Sequence, residues 1–181
     1  METIDLPHLQ PELRLHLAFF ADVKNAAFLR KQLLEGNTDF EYAFLDCSQL
    51  LSRNHILAAC FRAVNDSLAG RLKTRNVHSE TVFALSPNNN IAESFRRFGI
   101  SDDSKHIVAI KVGGVIADIE THLGNYVQGQ MLPLTDAALA KVHDPGRIRK
   151  IYKLTASQKG QDDVGEDAEA LIIGSIALKG S

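Results

Sequence analysis

The chain has 181 residues, of which 45% are hydrophobic and 23% charged. This length suits one globular domain over residues 1–181, and the ordinary composition excludes wholesale disorder, collagen-like repeats and a coiled-coil rod. The 20 lysines and arginines against 22 aspartates and glutamates give a net charge of −2 at pH 7. A protein that coats nucleic acid through bulk charge is far more basic, so any RNA contact must be a local patch.

The sparse cysteines indicate a reducing intracellular compartment. Cys47 and Cys60 are too few for a disulfide framework or a structural zinc site. No apolar run approaches the roughly 20 residues that span a bilayer, and the acidic N-terminus has no signal-peptide core. The seven histidines lack metal-ligand spacing. We therefore expect a protein of the nucleus or cytoplasm, with no membrane partner, no metal and no cofactor.

Hydrophobic periodicity and turn residues predict the order of the secondary-structure elements. Strands are predicted at residues 13–20, 40–45, 81–85 and 106–112. Helices are predicted at residues 23–35, from a Ser48 cap to Gly70, and at 91–98 (capped by Asn90), 117–128, 135–142, 145–154 and 167–176. We expect the helix that starts at Ser48 to bury an apolar stripe formed by Leu50, Leu57, Phe61, Val64 and Leu68.

Strands and helices alternate through the first two thirds of the chain, and helices dominate the remainder. This order predicts an α/β (α+β) fold, with a central mixed sheet of about four to five strands packed with helices. The C-terminal part is expected to be mostly helical. Residues 157–165 are polar and contain glycine, so we predict a flexible loop there.

One candidate for catalysis is the run His78-Ser79-Glu80, which has the residue types of a hydrolase triad. Adjacent residues on an extended segment point to opposite faces, so these side chains do not converge without a special turn. No nucleophile-elbow motif surrounds Ser79. A small hydrolase that uses this region is thus the less favoured alternative, and we expect no catalytic residue and no enzyme activity.

A second candidate is recognition of nucleic acid by alternating basic residues. Arg71, Lys73 and Arg75 stand two apart, directly after a predicted helix end. If this stretch is extended, the three cations project from one face, where a phosphate backbone fits. Asn76 adds hydrogen-bonding groups that can hold a nucleic-acid backbone or read a base.

These charges also have a plainer explanation, in which they are solvated on a surface loop and pair with Asp66 and Glu80. A second basic stretch, residues 141–153, is predicted to be an amphipathic helix with a cationic outer face. Residues 161–169 carry five acidic side chains and no basic one. Charge that is segregated in this way favours oriented docking over catalysis.

The central block of the chain resembles the PRPK-binding protein family, the small CGI-type subunit of the KEOPS/EKC complex. The resemblance rests on Lys73-Thr74-Arg75-Asn76 with Ser79-Glu80, on Leu85-Ser86-Pro87 with Asn90-Ile91, and on Phe98-Gly99-Ile100. It covers nearly the whole chain and is closest over residues 39–104. Residues 148–154 are most similar to fungal members.

This resemblance implies a non-catalytic subunit that directly binds and stimulates the complex's small atypical serine kinase/ATPase. The transferase and the other subunits would be indirect partners. The complex installs the threonylcarbamoyl group on the adenosine of tRNAs that read ANN codons. The resemblance also implies that the subunit helps to hold the CCA end of tRNA, and in fungi it implies a link to telomere maintenance and transcription.

Carried over to this sequence, the family's basic motif assigns the tRNA end to Lys73, Arg75 and Asn76, with Arg71 beside them. A single-stranded end also needs an apolar pocket and stacking surfaces, and the sequence does not assign those residues. A stand-alone RNA-binding protein without a kinase partner is the alternative that shares this site.

The resemblance further implies a surface for the kinase. We expect it on the long helix near Ile56, Ala59 and Ala63, and at the turn between Pro87 and Asn90. Residues 170–181 at the end of the chain are a further candidate to reach this partner.

Overall fold

The computed structural model of the protein describes residues 1–154 and 167–180. Within those two ranges, five strands and eight α-helices form an α+β fold, which confirms the predicted class. The strands are β1 (Glu2–Ile4), β2 (Leu15–Ala21), β3 (Ala43–Asp46), β4 (Ile107–Val112) and β5 (Gln130–Leu132). The helices are α1 (Ala26–Leu34), α2 (Arg53–Leu68), α3 (Val77–Leu85), α4 (Ile91–Phe98), α5 (Ile116–Tyr126), α6 (Asp136–Ala140), α7 (Pro145–Tyr152) and α8 (Ala168–Leu178). The loop predicted at residues 157–165 lies outside the described residues.

The five strands form one sheet in which β4 lies between β2 and β3. The outer edge of β2 is shared by two short strands, because β1 pairs with its first half and β5 with its second half. Each described strand pair is antiparallel, whereas the sequence suggests a mixed sheet. The helices between β3 and β4 return the chain to the same end of the sheet, so this strand–helix alternation forms no parallel unit.

Helices cover both faces of the sheet, and this explains why every residue of β2 is buried. One face packs against α2, α3, α4 and α8 through a cluster that includes Leu17, Phe19, Leu45, Ile56, Phe98 and Ile172. The other face packs against α1 and α5 through Phe20, Leu29, Phe44, Ile107 and Leu123. None of the described helices is long and apolar enough to cross a membrane.

The strand predicted at residues 81–85 is wrong, because these residues form the second half of α3. A short apolar run has the same pattern in a buried strand and in a buried helix, so periodicity does not distinguish them. The helix is specified at its start by a capping box. The Asn76 side chain accepts the N–H of Ser79, and the Ser79 hydroxyl accepts the N–H of Asn76.

The buried face of the long helix α2 agrees only in part with the predicted stripe, because Leu50 and Val64 are buried and Leu57 packs against the core, whereas Phe61 and Leu68 do not pack against it. Ser52 caps the helix, so Leu50 lies before it. Phe61 and Leu68 are 45% and 58% exposed. The buried hydrophobic positions of α2 are Ile56, Ala59, Cys60, Ala63 and Val64. The core side of this helix therefore consists mostly of small residues, which allow α8 to approach closely.

The two phenylalanines of this region should differ in their contribution to stability. We expect Phe98→Ala to lower the free energy of unfolding by about 3–5 kcal/mol, because Phe98 is fully buried. Phe61→Ala should cost only about 1 kcal/mol, because half of that side chain already contacts solvent. Urea unfolding followed by circular dichroism measures both values, and equal losses would contradict the observed core face of α2.

Candidate nucleic-acid interface

The basic segment, residues 71–76, connects the end of α2 to the start of α3. Gly70 turns the chain into it with a φ of +67°, a left-handed conformation that favours glycine. The side chains of Arg71, Lys73 and Arg75 are exposed, whereas the residues between them are half-buried. This alternation matches the predicted cationic face, although bends at residues 73–76 keep the segment from being a regular strand.

A buried carboxylate holds the middle of the basic segment. Oε2 of Glu80 accepts the backbone N–H of Lys73 at 3.1 Å, the N–H of Thr74 at 2.9 Å and the Thr74 hydroxyl at 2.6 Å. Glu80 is only 2% exposed and belongs to α3. The helix therefore fixes the backbone of the segment, and the Lys73 side chain points away as an exposed cation. The plainer explanation expected Glu80 to pair with the cations, but it binds backbone.

The plainer explanation applies to Arg71. Its Nη2 and Nε lie 3.1 and 3.3 Å from Oδ1 of Asp66. The Arg71 side chain is nevertheless 65% exposed, so part of its guanidinium still faces solvent. The Arg75 side chain lies elsewhere. Its guanidinium is next to Gly36 in the turn after α1, so close that a Cβ at position 36 would lie 3.4 Å from it. The predicted binding residues thus have different local roles.

A cleft of about 970 Å³ opens beside the basic segment. Thr74, Arg75 and Asn76 form part of its wall. The lining also includes Phe40, Tyr42, Val82, Ile91, Phe95 and Arg96. The lining residues come from separate stretches of the chain, so no local sequence pattern predicts the cleft. It combines apolar and aromatic surface with guanidinium groups, as a pocket for a single-stranded nucleic-acid end requires.

Ion pairs position two arginines of the cleft lining, Arg30 and Arg96. Arg30 lies 3.3 Å from Asp102, and Glu93 pairs with both Arg96 and Arg97. The hydrogen bond from Arg96 is the main reason why the pKa of Glu93 is lower than usual. Arg96 and Arg97 lie in the last turn of α4, where positive charge complements the helix dipole.

The three residues of the apparent triad have separate structural roles. Nε2 of His78 accepts the backbone N–H of Val112 at 3.0 Å, and burial lowers the pKa of His78 to about 4. The Ser79 hydroxyl belongs to the α3 capping box, and Glu80 holds the basic segment. Within the described contacts, the His78 ring and the Ser79 hydroxyl share no hydrogen bond. The geometry therefore does not support a hydrolase at this position.

Within residues 1–154 and 167–180, no three histidine, cysteine, aspartate or glutamate side chains lie close enough together to hold a metal ion. Cys47 and Cys60 are both buried free thiols. Burial raises the pKa of Cys60 to about 12, so this thiol stays protonated.

The residues expected to face the kinase divide into two groups. Ile56, Ala59 and Ala63 are fully buried inside this chain, so their side chains offer no surface to a partner in this structure. Their burial therefore corrects the expectation that these three residues face the kinase. Pro87 and Asn90 lie in the exposed turn before α4, where the Asn90 side chain accepts the N–H of Glu93.

Helix α8 presents apolar surface that sequence reasoning assigned to no specific residue. Ile172 and Ile176 are buried on its inner side, whereas Leu171 and Leu178 are 61% and 70% exposed. A helix that is apolar on all sides is normally buried all round. Large exposed apolar side chains on such a helix are typical of a surface that contacts another protein.

These features define a small α+β protein with a cleft beside exposed cations and with an exposed apolar side on its last helix. A family model described as "Kinase binding protein CGI-121" matches residues 20–180. The whole chain is 51% identical to 97% of the "EKC/KEOPS complex subunit cgi121" of Aspergillus fumigatus. Proteins with the same name from Yarrowia lipolytica and Schizosaccharomyces pombe are 43% and 33% identical over 94% and 95% of this chain, and the matches cover 96% and 97% of those proteins. The chain belongs to the CGI-121 family of kinase-binding proteins, which confirms the resemblance found in its residues.

The buried His78 predicts a loss of stability in acid. Its pKa is about 4 in the folded protein, whereas an unperturbed histidine titrates near 6.5. The unfolded chain therefore binds more protons between these values, and the free energy of unfolding falls as the pH drops from about 6.5 towards 4. The amide oxygen of a glutamine can accept the Val112 N–H but does not titrate. We therefore expect the free energy of unfolding of His78→Gln to fall by about 2–3 kcal/mol less than that of the unmodified protein between pH 7 and 4.5.

Urea unfolding at the two pH values measures this difference. The buried His55, with a pKa lowered to about 3, is present in both proteins and contributes equally to both pH dependences. A pH dependence that the substitution leaves unchanged would contradict a neutral, structural His78.

Proposed function

We propose that this chain is the small non-catalytic subunit of a KEOPS/EKC complex. In this role it binds and stimulates the atypical serine kinase/ATPase of the complex and helps to hold the CCA end of tRNA during threonylcarbamoyl-adenosine formation. The observation that carries the proposal is the cleft beside exposed Lys73 and Arg75, in a member of a kinase-binding family. The nuclear and cytoplasmic location and the telomere link expected from the resemblance stay predictions.

The chemistry of the cleft suits a single-stranded RNA end. Arg75 supplies positive charge in the cleft lining, Lys73 is an exposed cation next to the lining residue Thr74, and the N-terminus of α3 follows them and favours an anion. Ile91 and Phe95 are 41% and 37% exposed and line the same cleft. Apolar and aromatic side chains of this kind stack with or cover unpaired bases, while the cations contact phosphates.

Charge reversal tests the RNA site. We expect Lys73→Glu and Arg75→Glu to weaken binding of intact tRNA, because each removes an exposed cation that lies in the cleft lining or directly next to it in the chain. Each lost phosphate contact should also reduce the slope of log affinity against log salt by ~0.7–0.9. Removal of the terminal CCA from the tRNA should weaken binding to the unmodified protein. Filter binding over a salt series measures all three effects.

Lys141→Glu is the matched control, because it makes the same charge change at an exposed position after α6 that is neither in the cleft lining nor next to a lining residue in the chain. It should leave both the affinity and the salt slope nearly unchanged. Equal effects of the three substitutions would indicate a bulk-charge interaction and exclude the assigned site.

The kinase surface is proposed on the outer side of α8, with the turn from Pro87 to Asn90 as a second contact. The support is the large exposed fraction of Leu171, in a helix whose inner side is anchored on α2. Burial of an exposed leucine in an interface contributes about 1.5–3 kcal/mol, which is enough to weaken binding by an order of magnitude when it is lost.

Substitution on α8 tests the kinase surface. We expect Leu171→Asp to weaken binding to the kinase at least tenfold and to abolish stimulation of its ATPase activity. The protein should stay folded, because Leu171 is exposed. Val115→Asp is the control, because Val115 is equally exposed, at 61%, before α5. Co-expression pull-down and an ATPase assay with added tRNA measure the two effects. RNA binding without any kinase binding by the unmodified protein would favour the stand-alone RNA-binding alternative.

A further inference from the structure

One arginine of α2 anchors the end of α8. The Arg62 guanidinium donates to the carbonyl oxygens of Ile176 at 3.0 Å, Ala177 at 2.9 Å and Lys179 at 2.6 Å. The last carbonyls of a helix have no partner within the helix, so a planar guanidinium with several donors is well suited to satisfy them. Arg62 thus fixes the C-terminal end of α8 against α2.

The same guanidinium is linked to the basic segment through one carboxylate. Nε of Arg62 donates to Oδ2 of Asp66 at 2.8 Å, and Oδ1 of Asp66 accepts from Arg71 at 3.1 Å. The Asp66 carbonyl also accepts the backbone N–H of Arg71 at 2.8 Å. The Asp66 side chain is only 9% exposed, so its two oxygens are committed to these two arginines.

A second connection runs through α3. Nζ of Lys179, just after α8, donates to the carbonyl of Phe83 and lies 3.5 Å from the centroid of the Phe83 ring. Glu80 lies one turn earlier on α3 and holds the N–H groups of Lys73 and Thr74. The end of α8 and the basic segment are therefore attached to the same short helix.

We propose that Arg62 and Asp66 are positioning residues that couple the docking of α8 to the geometry of the basic segment. Neither residue belongs to the described lining of the cleft, so each acts through Arg71 and the backbone around it. As a consequence, which rests on the function proposed above, a docked α8 strengthens the binding of single-stranded RNA. Because such coupling is reciprocal, bound RNA also stabilises the docked helix.

A double-mutant cycle tests the effect on RNA. We expect Arg62→Met to weaken binding of an RNA strand that ends in CCA by roughly 3- to 10-fold, although it removes no lining residue. The same substitution should have a smaller effect when Arg71→Met is already present, because the main connection is then broken. Arg147→Met, which removes an exposed arginine paired with Asp144 on α7, controls for the lost charge. Fluorescence anisotropy measures the four affinities and the control.

A second measurement needs no RNA. We expect amide hydrogen exchange at Arg71, Lys73 and Thr74 to become at least about threefold faster in Arg62→Met, and also in Lys179→Met, but not in Arg147→Met. Unchanged exchange at these amides would overturn the coupling, as would an Arg62 effect on RNA affinity that is equal with and without Arg71. If the exchange rates change as expected and the unmodified protein binds no RNA, the coupling stands and the proposed RNA function fails.

Discussion

Hydrogen bonds from the buried helix α3 to its neighbours hold the basic segment, α7 and the end of α8 in place. His78 accepts the Val112 N–H of β4, and Glu80 accepts the backbone of the basic segment. At the other end of the helix, the carbonyl of Phe83 accepts from Lys179, and that of Leu85 accepts from the Tyr152 hydroxyl. This one helix is therefore hydrogen-bonded to the sheet, the basic segment, α7 and the end of α8. A shift of α3 would move the cleft wall and the cations together.

Polar groups fix the rotation of α3 because it has almost no solvent-facing side. Most of its residues are buried, including His78, Glu80 and Thr81. A buried polar group without a partner costs about 1–3 kcal/mol, so His78 and Glu80, whose partners lie outside the helix, favour the one rotation in which those partners are in reach. The Thr81 hydroxyl donates to the Val77 carbonyl of the same helix and is satisfied in any rotation. Amphipathic helices are oriented by an apolar stripe, whereas here several satisfied hydrogen bonds have that role. The same bonds give a structural role to each residue of the run that has the residue types of a hydrolase triad.

The sequence predicted the features that depend on local patterns, and it missed those that depend on distant packing. Asn90 was recognised as a cap because the cap and its helix are adjacent in the chain. The alternating exposure of Arg71, Lys73 and Arg75 follows from their spacing in the same way. The helical state of residues 81–85 was missed, since a fully buried helix has no periodic pattern. The cleft was missed because its walls meet only after the chain has folded.

The correction at Ile56, Ala59 and Ala63 shows why small residues alone do not identify a partner. Small side chains on a helix indicate that another helix approaches closely, but they do not say whether that helix belongs to the same chain. Here the approaching helix is α8. Ser52 donates a hydrogen bond to Glu169 near the start of α8, and Arg62 donates to the Ile176 carbonyl near its end. The small face of α2 is therefore used within the protein, and its effect is to display the opposite side of α8. At the proposed kinase surface Leu171 is exposed and the alanines are not, and the end of α8 is linked through Arg62 and Asp66 to the basic segment.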